Sequence, residues 1–184
     1  MRNPAFILFT LILLVSGATL ARAEYDDSGW KAVGVHAGLS ATEKHQYFHR
    51  FDIFANYGLP WSLRGERGWG AAMQLNMAAG MVRGGGESGF IGAVGPSVVF
   101  DKAGNRGIMF ELGGDLDVLS RQVFGRQDFN GNLLFEGYAA LIYRFDNGIG
   151  IGYRFQHMSN GGIYSNGSGN PGLDLHTVSL SYHF

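Results

Sequence analysis

The sequence predicts an all-β protein, an eight-stranded antiparallel transmembrane β-barrel. Three observations carry that prediction. Strand-like stretches recur along the chain, most of them reaching the ~9–11 residues that a tilted strand needs to cross a bilayer. Within them apolar and polar residues alternate with period 2, so each stretch has one apolar face and one polar face. The polar faces are rich in glycine and carry charges of both signs, whereas the apolar faces end in Trp, Tyr or Phe. Lipid outside, a polar lumen inside and aromatic girdles at both rims produce that pattern. The 30 glycines, 14% aromatic residues and four prolines also suit many strands joined by tight turns.

Taken in order, residues 1–23 read as a signal peptide. Arg2 is followed by an apolar run from Ala5 to about Val15, and Ala21-Arg22-Ala23 has the small-x-small form of a cleavage site. The run is shorter than the ~20 apolar residues of a spanning helix, and no later run is long enough. Residues 24–184 are then the outer-membrane β-barrel domain. Its stretches lie near 30–39, 47–57, 68–80, 89–100, 107–119, 132–145, 148–160 and 173–184. The second sets Phe51, Ile53, Ala55 and Tyr57 opposite Arg50, Asp52 and Asn56. The third sets Trp69, Ala71, Met73, Leu75, Met77 and Ala79 opposite Gln74 and Asn76. The fifth sets Ile108, Phe110, Leu112, Leu116 and Val118 opposite Glu111, Asp115 and Asp117. The sixth sets Phe135, Ala139, Leu141, Tyr143 and Phe145 opposite Glu136, Tyr138 and Arg144.

With eight strands, side chains fill the lumen. Arg50, Arg144 and Arg154 are expected to pair there with Asp52, Glu111, Asp115, Asp117 and Glu136. A soluble, lipocalin-like barrel is the alternative, and it would turn the apolar faces inward. If both termini are periplasmic, odd strands run outward. The stretches near 81–88, 120–131 and 160–172 are then outer loops, and Asp146-Asn147-Gly148 is a tight periplasmic hairpin turn. The segment 58–67 is long for a periplasmic turn.

Charge and chemistry narrow the function. Fifteen acidic residues face 14 basic ones, and losing the leader removes Arg2 and Arg22, so no basic surplus exists to neutralise nucleic-acid phosphates. With no Cys, disulfide and thiolate chemistry are excluded. His36, His45, His49 and His183 read as structural or rim residues, and no His pair has metal-ligand spacing.

The remaining signal is the stretch Phe155-Gln-His-Met-Ser-Asn-Gly-Gly and the Asp174 that follows it. Period 2 puts Arg154, Gln156 and Met158 inward. It puts His157 and Ser159 outward with Tyr153 and Phe155, and Asp174 outward with Val178, Leu180 and Tyr182. Polar residues on a lipid face call for a reason. Rim positions are interfacial and tolerate them, which is one reading. The other is chemical: a Ser hydroxyl becomes a nucleophile when a base takes its proton, and the His needs a carboxylate to hold its tautomer. Residues two apart on one face stand about 6–7 Å apart at the backbone, within reach of a side-chain hydrogen bond. His176 shares the row of Asp174 and is a fallback participant.

Val178, Leu180, Tyr182 and Phe184 alternate up to a terminal aromatic, which resembles the C-terminal ending of bacterial outer-membrane barrels. His157-Met-Ser159-Asn160-Gly161-Gly162, followed by Asn170-Pro-Gly172-Leu-Asp174, resembles the lipid A 3-O-deacylase (PagL) family. The likeness is close over the last three stretches and architectural before them. It implies Ser159 as nucleophile, His157 as general base and Asp174 as orienting carboxylate, where well-known members carry Glu. Asn160, and the backbone N–H groups of Asn160 and Gly161, become oxyanion-hole candidates. Phe135 takes the place of a family Phe that helps form the site. The resemblance implies hydrolysis, without cofactor or metal, of the 3-position acyl ester of lipid A in the outer leaflet of the bacterial outer membrane. The alternatives are a phospholipase or general esterase, a non-catalytic structural barrel, and the soluble lipid-binding barrel. The oligomeric state is open, a homodimer being among the assemblies the sequence allows.

Overall fold

Alternating faces can meet lipid on one side only if the sheet has no free edge, because unpaired N–H and C=O groups are not tolerated in hydrocarbon. The computed structural model shows that closure. It describes residues 28–41, 46–65, 67–104, 106–163 and 172–184. The expected signal peptide, His45 and the Asn170-Pro171 part of the C-terminal motif lie outside the described residues. The strands are β1 (Gly29–Ser40), β2 (Phe48–Arg64), β3 (Trp69–Gly84), β4 (Glu87–Lys102), β5 (Gly107–Leu119), β6 (Val123–Phe124), β7 (Gln127–Asp128), β8 (Leu133–Arg144), β9 (Ile149–Ser159) and β10 (Leu173–His183). Eight of them close in the order β1-β10-β9-β8-β5-β4-β3-β2, every neighbour antiparallel. β6 and β7 form a separate two-stranded hairpin. The end where β1 starts and β10 finishes is called the inner end here, following the expected orientation, and the opposite end the outer.

The faces fall as the alternation predicts. Phe51, Ile53, Leu116, Leu141, Tyr153 and Leu180 are exposed on the outer surface of the wall, whereas Arg50, Asp52, Asn76, Glu111, Asp117, Glu136 and Gln156 are buried inside it. That inversion overturns the soluble, apolar-cored alternative. Within the lumen Arg50 donates to Asp52 at 2.7 Å and to Glu136, with Asp117 at 3.8 Å. Two expected pairings differ. Arg144 binds Asp101 at 2.9 Å, an acid that Arg64 shares at 2.8 Å. Arg154 lies over the Tyr138 ring, 3.8 Å from its centre, and makes no ion pair among the described residues. Toward the inner end a cavity of about 170 Å³ remains between His36, Asn56, Arg64, Glu111 and Arg144. The outer end is sealed by an apolar cluster that includes Phe48, Phe124, Phe129, Leu134, Met158 and Leu175.

Two connections differ from their expected form. Residues 81–88 are strand, apart from Gly85 and Gly86, whose φ values of 58° and 84° make a two-residue hairpin turn. The segment 58–67 is long because β2 continues to Arg64 after a register shift between Gly58 and Ser62. That shift spans Pro60, which has no N–H to give to a ladder. The turn at Asp146-Asn147-Gly148 is tight, as predicted. The Gly148 N–H donates to Phe145 O, and only Gly148 takes a positive φ, of 81°.

Candidate active site

The outward rows of β8, β9 and β10 meet near the outer end. In the ladder His157 is the direct partner of Asp174 on one side and of Gly137 on the other, and Ser159 is the partner of Phe135. Register alone therefore aligns the acid with the imidazole. The His157 Nδ1 and Asp174 Oδ1 are 2.6 Å apart, with the two side chains 51% and 22% exposed. The short Asp reaches because it stands straight across the ladder from the His. Among the described residues the imidazole bonds Asp174 and not Ser159, so Nε2 is the nitrogen left for the hydroxyl. Such a contact commonly tightens only when substrate is present.

Ser159 is largely covered, at 7% exposure. Its Oγ accepts the Gly161 N–H at 3.5 Å. That donor comes from a turn in which the Ile163 N–H donates to Asn160 O at 3.1 Å, while Gly161 and Gly162 hold φ values of 62° and 78°. A Cβ on Gly161 would also stand 3.2 Å from the Phe135 ring, so this ring packs directly over the turn. The Asn160 side chain points the other way, into the barrel, and is fully buried. Its Nδ2 donates to Phe129 O at 2.9 Å, and its Oδ1 accepts the Gly162 N–H at 2.8 Å. Of the oxyanion candidates, the side-chain amide of Asn160 is thus committed to backbone partners, whereas the Gly161 N–H faces the hydroxyl.

Two features of the site escaped the sequence reading. Gly172 lies against the imidazole: a Cβ there would stand 2.6 Å from His157 Cε1 and 3.2 Å from Nε2. Its presence in the motif was the available signal, two positions before the acid. His176 is engaged with Tyr153, Nδ1 to Oη at 2.5 Å, and its ring also meets Phe155 with centres 5.5 Å apart. Asp174, not His176, therefore partners His157. His36 is stacked on Phe54 in the lumen and His183 contacts Ser181 Oγ at 3.0 Å, both away from this site. Among the described residues no group of three His, Cys, Asp or Glu side chains is arranged to hold a metal ion.

Chemically, the site offers a carboxylate-oriented imidazole, a hydroxyl one step along the same strand, and a backbone N–H beside that hydroxyl. His157 and Ser159 belong to the outward row of β9 and Asp174 to that of β10, close to the end of the barrel where those strands meet the 160–172 connection. A family model described as lipid A 3-O-deacylase (PagL) matches residues 49–183. The chain is also similar to a solved structure described as the crystal structure of the outer membrane enzyme PagL. The two share 20% identity at a TM-score of 0.68, covering 82% of this chain and 99% of that one, which bears on the fold. A comparison with curated proteins finds no match.

Proposed function

This chain belongs to the lipid A 3-O-deacylase family, and from that premise we propose that it works as a serine esterase through Ser159, His157 and Asp174. The protein is a lipid A hydrolase of the bacterial outer membrane. In the proposed mechanism the Asp174 carboxylate accepts the Nδ1–H of His157, which leaves Nε2 free to take the Ser159 proton. The Ser159 Oγ attacks the carbonyl of the acyl ester at the 3-position of lipid A. The Gly161 N–H, with the backbone N–H of Asn160, stabilises the oxyanion. His157 then returns its proton to the departing sugar hydroxyl, leaving an acyl-enzyme. Water, deprotonated by the same imidazole, releases the fatty acid and restores Ser159.

The observation that carries this reading is the 2.6 Å contact of His157 with Asp174 on the lipid-facing surface, with Ser159 next along the same row. A site turned toward lipid can act on an ester in the outer leaflet without drawing the lipid from the membrane. Phe135 and Phe155 flank it with apolar surface for acyl chains. The test is mass spectrometry of purified lipid A incubated with the detergent-solubilised protein, beside Ser159→Ala. Loss of one ester-linked chain with wild type only is the expected result. Unchanged lipid A from a folded protein refutes the reading, and phospholipid becomes the next substrate to try.

A further inference from the structure

A polar side chain completely buried under an apolar roof is costly unless its groups are paired. Asn160 is such a side chain, and its partners are informative. The Nδ2 donates to the carbonyl of Phe129, a residue just after the β6–β7 hairpin, while Oδ1 holds the N–H of Gly162 inside the turn that follows Ser159. One amide thus ties the hairpin segment to the loop whose Gly161 N–H faces the Ser159 hydroxyl.

The hairpin segment is itself held firmly. Phe124 and Phe129 are fully buried in the cluster that seals the lumen. The Gly125 N–H donates to Glu87 at 2.9 Å, and the same carboxylate pairs with Arg121 at 2.8 Å. Gln46 donates to Phe124 O. Directly after Phe129, Asn130 has a φ of 59°, the left-handed region, and its N–H donates to Asp128 Oδ1 at 2.8 Å. Among the described residues no other non-glycine adopts a positive φ. Asparagine is among the few side-chain-bearing residues that take this region readily, and the turn it makes here immediately follows the carbonyl that holds Asn160.

We propose that the β6–β7 hairpin is a positioning element of the active site: through the Phe129 carbonyl and the Asn160 amide it fixes the turn that aims the Gly161 N–H at the reacting centre. The inference rests on the serine esterase reading above. Asn160 is a positioning residue in this scheme and touches no substrate through its side chain.

The experiment perturbs the link at both ends in the full-length protein. Asn160→Asp replaces the Nδ2 donor with a second oxygen facing Phe129 O. Gly125→Val acts remotely, since a Cβ there would stand 2.4 Å from Gln46 Oε1 and 2.8 Å from Gly85 Cα. Each variant is assayed for kcat and KM on lipid A, and for the rate at which a small phosphonate ester labels Ser159. A lost or displaced donor lowers kcat about 10–100-fold, with KM within about 3-fold of wild type and labelling slowed in parallel. The double variant is no slower than the slower single one, because both cut the same link. A merely structural role predicts fewer folded molecules with unaltered kcat per labelled site. Wild-type kcat in folded Gly125→Val, or losses that multiply in the double variant, overturn the proposal. Should Gly125→Val not fold, Glu87→Ala decides. It removes the Gly125 acceptor at a partly exposed position, and a folded protein with unchanged kcat and labelling sinks the idea. Retention of activity by Ser159→Ala is a distinct failure, that of the serine esterase reading itself.

Discussion

The two faces of the barrel wall use polar groups in opposite ways. Inside, Arg50 is enclosed by Asp52, Glu136 and Asp117 and is screened from solvent and lipid alike. Outside, across β9 and β10, His157 and Asp174 form a pair that is open to the membrane. The Arg50 cluster is closed off inside the lumen, away from any lipid. The outward pair has the same kind of contact but an open approach. Polarity inside the wall holds the fold together, whereas in the proposed mechanism the His157–Asp174 pair on the lipid side does the chemistry.

Substitutions on the two faces separate these roles. The largest effect is expected from Ser159→Ala, which should lower deacylation by about 10⁴-fold or more while leaving heat-modifiable gel mobility unchanged. Arg50→Met should do the converse. It leaves Asp52 and Glu136 buried without their cation, so urea unfolding in detergent should show a loss of about 3–5 kcal/mol, with the residual folded protein still active. A large activity loss per folded molecule would erase the distinction between the faces. Gly172→Ala sharpens it from the outside. Its methyl group must push the imidazole, and a displacement near 1 Å is expected to lower kcat by about 10²-fold with the unfolding midpoint nearly fixed. The smallest effect belongs to His176→Phe, which removes the hydrogen bond to Tyr153 but not the His157–Asp174 contact. Stability should drop by about 1 kcal/mol, and kcat should stay within about 3-fold. A larger fall in kcat would mean that the outward polar row acts as a unit.

Much of this was legible because a barrel wall imposes period 2 on every strand. Phe51 and Ile53 against Arg50 and Asp52 read correctly, and so did His157, Ser159 and Asp174 on the lipid side. The same period placed Met158 inward, and carrying it one step further would have turned the Asn160 side chain inward too. What escaped depends on glycine, proline or short pairing. β2 was ended at Tyr57, before Gly58 and Pro60, and β3 and β4 were cut back to Gly80 and Gly89 around the Gly84-Gly85-Gly86 run, residues that signal loops in isolation. Asp101 was missed as the partner of Arg144 because strand four was ended at residue 100. The β6–β7 hairpin has only two residues per strand, too few for any periodicity, and its packing is set by Phe124 and Phe129 reaching a core that only the closed barrel creates. Gly172 stood in the motif two positions before the acid, but its role, the space it leaves for the imidazole, shows only once β9 and β10 are paired.

The apolar cluster across the outer end also matters to the cell as a whole. An outer membrane is a permeability barrier, and each protein inserted in it is a potential leak. Here Phe48, Phe124, Phe129 and their neighbours pack as an apolar cluster across the lumen, which a column of water or ions would have to displace. A single-channel recording of the reconstituted protein should stay at the conductance of the bare bilayer.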